Sequence, residues 1–269
     1  MLVYGYKQIP INNFESIDSN STNFYNYRGL NFFTKLSKTN EYLVINFHGA
    51  VRGRGKDRII FRGYNYSILN TDIVCISDFL MNVYEEYQVN WCLSSSKYNV
   101  EHIYIELFKY LINSKRYINV IFTGSSAGSY PSLYFASIFG KTALFSNPQL
   151  YLEKYGFAQR NSKYPWGFYG LAKMLADRGD GIIYEPNTIE YHVLKFRPEK
   201  IIIYNNKLDT QTFNDHTIPF VNFLKSNGLE HLVELIIFEG IQIEGKTNHE
   251  INFPGKTKHL DAVIKYLKK

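Results

Sequence analysis

Five consecutive residues, Gly124-Ser125-Ser126-Ala127-Gly128, carry the most specific chemical signal in the sequence. A serine with glycine two positions before and after it is the pattern of a nucleophile held on a tight strand-to-helix turn. Such a turn is so sharp that flanking side chains would collide, which calls for glycine at 124 and 128. It lifts the Ser126 hydroxyl above the sheet, and the helix N-terminus beneath it favours developing negative charge. The competing readings are a plain Gly-Ser turn and a phosphate-cradling loop. Against the second, no Lys-Ser/Thr pair follows at P-loop spacing and no G-x-G-x-x-G is present here.

A serine of this kind needs a base to take its proton and an acid to fix the base's tautomer. On a strand–turn–helix scaffold the partners follow in the order Ser, Asp/Glu, His, each beyond the C-terminal end of a strand. Asp209, five residues past the run that ends at Tyr204, holds the place of the acid, with Asp215 as its competitor. Either would otherwise be a solvated loop aspartate or a helix cap. Two histidines stand late enough to be the base. His249 falls in the loop Gly245 to Glu250, whereas His259 falls in or at the start of the closing helix. A loop residue reaches over the sheet edge more easily, which favours His249 and leaves His259 as a solvent-exposed residue. The oxyanion would take one backbone N–H from Ala127 and a second from Gly49 or Ala50, in the loop Phe47-His48-Gly49-Ala50. His48 precedes the serine and reads as a local hydrogen-bonding residue.

The elements that must position these residues are visible as apolar runs. Tyr42 to Phe47, Thr71 to Ser77, Ile118 to Thr123, Thr142 to Ser146, Lys200 to Tyr204 and Val233 to Phe238 read as buried strands. Helical spacing marks residues 100–113, the segment after Gly128, Leu171 to Arg178, Ile218 to Ser226 and Lys258 to Lys268. That alternation predicts an α/β fold, a mostly parallel sheet flanked by helices. Residues 1–40, with short aromatic runs on either side of Arg28-Gly29, read as edge strands. Residues 150–198 break the alternation and read as a lid-like insertion over the site. The whole of 1–269 reads as one domain.

Composition narrows the classes. The formal charge is +6, but the basic residues are scattered, and Arg52, Arg54, Lys56, Arg58 and Arg62 form the only dense cluster. No nucleic-acid module accompanies them, so no nucleic-acid partner is expected. Two cysteines, Cys75 and Cys92, are too few for a disulfide framework. No run approaches the ~20 apolar residues of a membrane span, and the first residues lack a leader's apolar core. The expected location is the cytoplasm. The 23 tyrosines and 20 phenylalanines would line either a groove or the core. No cofactor-binding or metal-ligating motif is found, and the oligomeric state is not legible.

With these residues in place, residues 42–269 resemble the α/β-hydrolases. Within that superfamily the chain is similar to bacterial hydrolase-like proteins associated with capsular and surface polysaccharides, some of which are O-acetyltransferases. The resemblance is carried by Phe47-His48-Gly49-Ala50, Trp91, Gly124 to Gly128, Asn147-Pro148-Gln149, Asn205-Asn206 with Asp209, and Asp215-His216 with Pro219-Phe220. It implies Ser126 as nucleophile, Asp209 as acid, a late histidine as base and His216 as a supporting residue. Ser129 stands where many members have a further glycine, and the late histidine lacks the usual preceding glycine. The function implied is ester hydrolysis or acyl transfer on a small-molecule ester or carbohydrate, with acetyl-CoA as the donor if the enzyme is an acetyltransferase. A non-catalytic binding or assembly subunit of a polysaccharide pathway is the alternative.

Overall fold

The apolar runs all become strands of one sheet in the computed structural model, which describes residues 2–3, 5–50, 59–84, 89–157, 166–241, 245–254 and 258–268. In chain order the strands are β1 (Leu2–Val3), β2 (Tyr6–Ile11), β3 (Thr22–Tyr27), β4 (Leu30–Lys35), β5 (Tyr42–Phe47) and β6 (Thr71–Ile76). They continue with β7 (Asn119–Ser125), β8 (Thr142–Ser146), β9 (Lys200–Asn206) and β10 (Val233–Phe238). Their order across the ten-stranded sheet is β1-β2-β3-β4-β6-β5-β7-β8-β9-β10. From β6 to β10 every pairing is parallel, while β4 joins β3 and β6 antiparallel. The expected edge strands are thus a hairpin, turned at Arg28 (φ 51°) and Gly29 (φ 91°). Two left-handed central residues give the turn whose twist matches that of its strands.

Parallel strands connected by helices must be covered on both faces, and the side chains show this with period two. Leu43, Ile45 and Phe47 of β5 point into the larger core, as do Val120 and Phe122, Ala143 and Phe145, and Ile201 and Ile203. Val44, Ile121, Leu144 and Ile202 between them point into a second core. On the first face lie α1 (Glu101–Asn113), α2 (Ser129–Phe139) and α5 (Ile218–Ser226); on the second lies α6 (His259–Leu267). Helix α1 buries Ile103, Tyr104, Leu107, Phe108 and Leu111, the spacing of one helical face. Phenylalanine fills the space beneath it, with the Phe108 ring 5.0 Å from Phe135 and 5.4 Å from Phe122, both edge-on. Much of the aromatic surplus is therefore core.

Between β8 and β9 the chain leaves the sheet. Its described part holds α3 (Phe168–Asp177), α4 (Thr188–Phe196) and two-residue strands, of which Ile182–Ile183 pairs with Ser94–Ser95. Asp180 fastens this excursion to the 94–97 loop: its carboxylate accepts from the Tyr84 and Ser95 hydroxyls at 2.7 Å, from the Ser96 hydroxyl at 2.8 Å and from the Lys97 N–H at 3.0 Å. Burial alone would raise the Asp180 pKa, but these donors hold it below the ordinary carboxylate value. Of the basic cluster, Arg52, Arg54, Lys56 and Arg58 lie outside the described residues. Among the described residues no helix is long and apolar enough to cross a membrane.

Candidate active site

The strands β5, β7, β8, β9 and β10 run in the same direction, so the segments after each one gather at a single edge of the sheet. Loop 48–50 follows β5, Ser126 follows β7, Asn147-Pro148-Gln149 follow β8, Asp209 follows β9, and the segment with His249 follows β10.

Ser126 occupies the turn between β7 and α2 with φ at 56°, a left-handed conformation that a non-glycine residue adopts only when its surroundings impose it. Those surroundings are backbone. A Cβ on Gly124 would lie 2.5 Å from the Gly128 carbonyl oxygen, and one on Gly128 would lie 2.8 Å from the Phe47 carbonyl oxygen. So the first glycine lets the turn close on itself, and the second lets the turn rest on the end of β5. Gly49 completes the contact, since a Cβ there would lie 3.0 Å from the Ser125 carbonyl oxygen and 3.5 Å from Ser126 Cβ. The 48–50 loop therefore runs directly beside the serine. Ala127 stands at the start of a helical run, where backbone N–H groups lack an intrahelical acceptor.

Three of the residues singled out in the sequence meet in one chain of hydrogen bonds. Ser126 Oγ is 2.7 Å from His249 Nε2, and His249 Nδ1 is 2.7 Å from Asp209 Oδ2. The same carboxylate oxygen accepts from the Thr212 hydroxyl at 2.5 Å, and Asp209 is 8% exposed. Asp215, the competing acid, lies in the π-helical turn Phe213–Thr217, while the Nδ1 position of His249 is taken by Asp209. His249 sits in a single 3-10 turn, Asn248–Glu250, closed by a reciprocal Thr247–Glu250 capping pair. Two asparagines hold that turn in place. Asn147 Nδ2 donates to the carbonyls of His249 and Ile251, both at 3.0 Å, and Asn206 Nδ2 donates to the carbonyl of Asn248 at 3.0 Å.

The expectation that His259 is a solvent-exposed residue is corrected. His259 is 6% exposed and opens α6 on the far face of the sheet, where its Nε2 meets the Thr123 hydroxyl at 2.6 Å and its Nδ1 the Tyr66 hydroxyl at 3.0 Å. Burial, with the positive charge of Arg62, lowers its pKa to about 3, so it stays neutral at ordinary pH. Both ring nitrogens are engaged away from Ser126. His48 behaves as a local residue: Nδ1 donates to the Gly49 carbonyl at 2.6 Å and Nε2 accepts from the Asp78 N–H at 3.1 Å. His216 is buried behind the site, accepts from the Tyr151 N–H at 3.2 Å and is held neutral by burial and Lys154, its pKa down to about 3.

Two side chains without an expected role stand next to the nucleophile. Gln149 Nε2 donates to Ser126 Oγ at 2.8 Å, and Gln149 Oε1 accepts from Trp91 Nε1 at 2.9 Å. Both side chains are buried, Gln149 completely. A glutamine three residues past a strand end has no role that spacing alone assigns, and Trp91 lies 58 positions away from it. The sheet order, which sets β7 beside β8, brings Gln149 to the serine, and Trp91 reaches it through Gln149.

Trp91 is also one wall of a cavity of about 430 Å3, a volume typical of small-molecule sites. Its other walls are Tyr130 and Tyr134 of α2, Glu101 of α1, Tyr184, and the Tyr191 and His192 pair of α4. The backbone of Trp91 and Cys92 is left-handed at both positions, φ 53° and 55°, so this wall is shaped against local preference. Among the described residues neither lysine nor arginine lines the cavity. Among the described residues no group of three or more His, Cys, Asp or Glu side chains is placed to hold a metal ion.

No protein-family model matches the sequence, and no curated protein matches it in a sequence comparison. Solved structures do match the fold. The capsule O-acetyltransferase of Neisseria meningitidis serogroup A is 14% identical, with a TM-score of 0.54 over 81% of this chain and 86% of that one. An esterase of the bacterial hormone-sensitive lipase family is 10% identical, with a TM-score of 0.53 over 94% of this chain and 85% of its own. Porphyromonas gingivalis dipeptidyl peptidase 4 is 14% identical, with a TM-score of 0.55 over 89% of this chain but only 33% of its own. With a mostly parallel sheet, helices on both faces and these likenesses, the chain has the α/β-hydrolase fold.

Proposed function

We propose that this protein is a serine-nucleophile enzyme that transfers an acyl group from an ester or thioester to water or to a sugar hydroxyl. The observation that carries the reading is the continuous chain Ser126–His249–Asp209, two hydrogen bonds of 2.7 Å linking residues from three separate loops. The Ser126 hydroxyl passes its proton to His249 Nε2 while Oγ forms a bond to the acyl carbon. The carbonyl oxygen takes up the negative charge against the N–H groups of Ala127 and Gly49. As the leaving alkoxide or thiolate departs it receives that proton. The acceptor hydroxyl then gives its proton to His249, attacks the acyl-serine and releases Oγ, which recovers the proton. Asp209 keeps the Nδ1 proton in place and offsets the imidazolium charge.

Acyl transfer to a surface glycan, with acetyl-CoA as donor, is the finer form of this reading. Supporting it are the fold shared with a capsule O-acetyltransferase and a cavity of rings and carboxylates whose Trp91 wall is joined to Ser126 through Gln149. Among the described lining residues carboxylates stand without a lysine or arginine, which disfavours phosphates, so the donor's phosphates belong outside this cavity and an uncharged acceptor within it. The described part of the 150–198 excursion serves as the lid, its Tyr155 ring centred 6.1 Å from the His249 ring.

The test is partition. The protein is given p-nitrophenyl acetate alone and with neutral sugars in excess, and acetate and acetyl-sugar are both counted. The expected result is ester turnover that is lost in Ser126→Ala, with a share of the acetyl group moving to sugar. Turnover equal in Ser126→Ala would end the serine reading. Acetate as the sole product with every sugar would leave a hydrolase.

A further inference from the structure

The hydrogen bonds around Ser126 admit only one arrangement of protons, and that arrangement assigns roles to Gln149 and Trp91. An indole N–H can only donate, so the Gln149 atom 2.9 Å from Trp91 Nε1 is the carbonyl oxygen Oε1. The other corner of the amide, 2.8 Å from Ser126 Oγ, is then the NH2 group, which can only donate. At the far end, the Asp209 carboxylate can only accept, so His249 carries its proton on Nδ1 and presents a lone pair at Nε2. Ser126 owns one proton. With Gln149 donating to Oγ from one side, that proton has a single acceptor, His249 Nε2, 2.7 Å away. All the donors in Trp91–Gln149–Ser126–His249–Asp209 point the same way.

We propose that Gln149 is a catalytic residue, holding the Ser126 hydroxyl in its reactive orientation and stabilising Oγ whenever it carries charge, and that Trp91 is the positioning residue that prevents the amide from flipping. This rests on Ser126 being the nucleophile. The physical gain is differential. A neutral amide N–H bonded to a neutral hydroxyl is an ordinary hydrogen bond. When Oγ loses its proton to His249, or leaves the acyl carbon during deacylation, the same bond becomes charge-assisted and about twice as strong. The geometry is in place beforehand, because Gln149 is fully buried and Trp91 is 2% exposed, so neither side chain must be ordered during the reaction. A flipped Gln149 amide would set its oxygen against Oγ, draw the serine proton away from His249 and leave the Trp91 N–H facing an NH2 group.

A fluorophosphonate probe reads Oγ reactivity directly, since Oγ bonds to phosphorus as fluoride leaves, whatever the natural substrate. Second-order labelling rates are compared for the unsubstituted protein, Gln149→Met, Gln149→Glu, Trp91→Phe and the Trp91→Phe/Gln149→Met double variant, with thermal melting in parallel. Gln149→Met keeps the length of the side chain and removes the donor. Its rate is expected to fall on the order of 10²-fold, the loss seen when one preorganised donor is removed. Gln149→Glu keeps an acceptor for Trp91, offers Oγ only an acceptor, and is expected to lose at least as much; it carries the test if Gln149→Met melts early. Trp91→Phe keeps a ring in the wall and is expected to lose about tenfold alone and nothing further in the Gln149→Met background, because its effect passes through Gln149. On p-nitrophenyl acetate the losses in all three single variants should appear in kcat with KM unchanged. Native-rate labelling of Gln149→Met and Gln149→Glu would overturn the proposal while leaving the serine reading intact. An undiminished Trp91→Phe loss in the double variant would overturn the positioning role. No labelling of the unsubstituted protein would overturn the proposal together with the nucleophile it rests on.

Discussion

The side-chain amide of Asn147, at the end of β8, donates to the backbone carbonyl of His249 at 3.0 Å, although the two residues are 102 positions apart. Its Nδ2 also reaches the Ile251 carbonyl, and its Oδ1 accepts from the Asn206 N–H at 2.9 Å. One asparagine thus ties the segment bearing the proposed base to the ends of two strands. Its own backbone is left-handed, φ 41°, a conformation that asparagine and glycine tolerate best.

Asn147→Gly tests that strap without adding backbone strain. Loss of buried hydrogen bonds should lower stability by about 2 kcal/mol, which for a chain of this size shifts Tm by a few degrees. Labelling of Ser126 by a fluorophosphonate should slow more than tenfold, as His249 loses its fixed approach. Thermal melts and labelling rates, taken on the same preparations, check both. An unchanged rate would mean that the His249 turn holds itself.

The assignment of the base to His249 and the acid to Asp209 predicts a contrast among single variants. His249→Ala should lower kcat on p-nitrophenyl acetate by three or more orders of magnitude with the fold intact, since a neutral serine hydroxyl is a poor nucleophile. Asp209→Asn should cost nearly as much. His259→Gln, which alters only the pairing with Thr123 and Tyr66, should lower Tm while each folded molecule turns over at the native rate. Collapse of turnover in His259→Gln with a native melt would move the base to α6.

Much of this site was legible in the sequence because it is local. The nucleophile turn is a contiguous pattern in which each glycine answers to a backbone collision. Asp209 and His249 follow strands whose apolar runs mark where the sheet edge lies. The order of chain segments then supplied the rest. Harder to read were relationships made by strand adjacency. Gln149 and Asn147 stand beside Ser126 and His249 because β8 neighbours both β7 and β9, and no periodicity announces that. His259 misled for the opposite reason: a histidine opening an amphipathic helix reads as surface, yet the Thr123 hydroxyl of β7 and Tyr66 supply buried partners for both its nitrogens.

Buried neutral histidines also set the response to acid. The pKa values of His216 and His259 are lowered to about 3 in the fold, against about 6.5 in an unfolded chain. Below pH 6.5 the unfolded state takes up protons that the folded state refuses, so stability is full above that pH and declines as the pH falls toward 3. Each histidine contributes a slope of up to about 1.4 kcal/mol per pH unit. Denaturant midpoints measured between pH 7 and pH 4.5 should fall steadily, and His259→Gln should flatten the slope. A midpoint independent of pH over this window would show that neither histidine resists protonation.

Asp180 predicts a separate, acid-sensitive link between the excursion and the body of the fold. Its folded pKa is depressed by the Tyr84, Ser95, Ser96 and Lys97 donors, so its contribution is present above the ordinary carboxylate pKa and is lost as pH falls toward the folded value. Asp180→Asn replaces acceptors with an NH2 that faces donors, and should cost about 2–4 kcal/mol. Limited proteolysis should then cut within 150–198 faster than in the native protein. Equal cutting rates would show that other contacts hold the excursion.

Whether Ser126 is an activated nucleophile is read most plainly by mapping a fluorophosphonate adduct with peptide mass spectrometry. The expected result is one adduct, on the peptide carrying Ser126, formed rapidly in the native protein, slowed by orders of magnitude in His249→Ala and absent in Ser126→Ala. A native protein that stays unlabelled, or an adduct that survives Ser126→Ala on the same time scale, would contradict it.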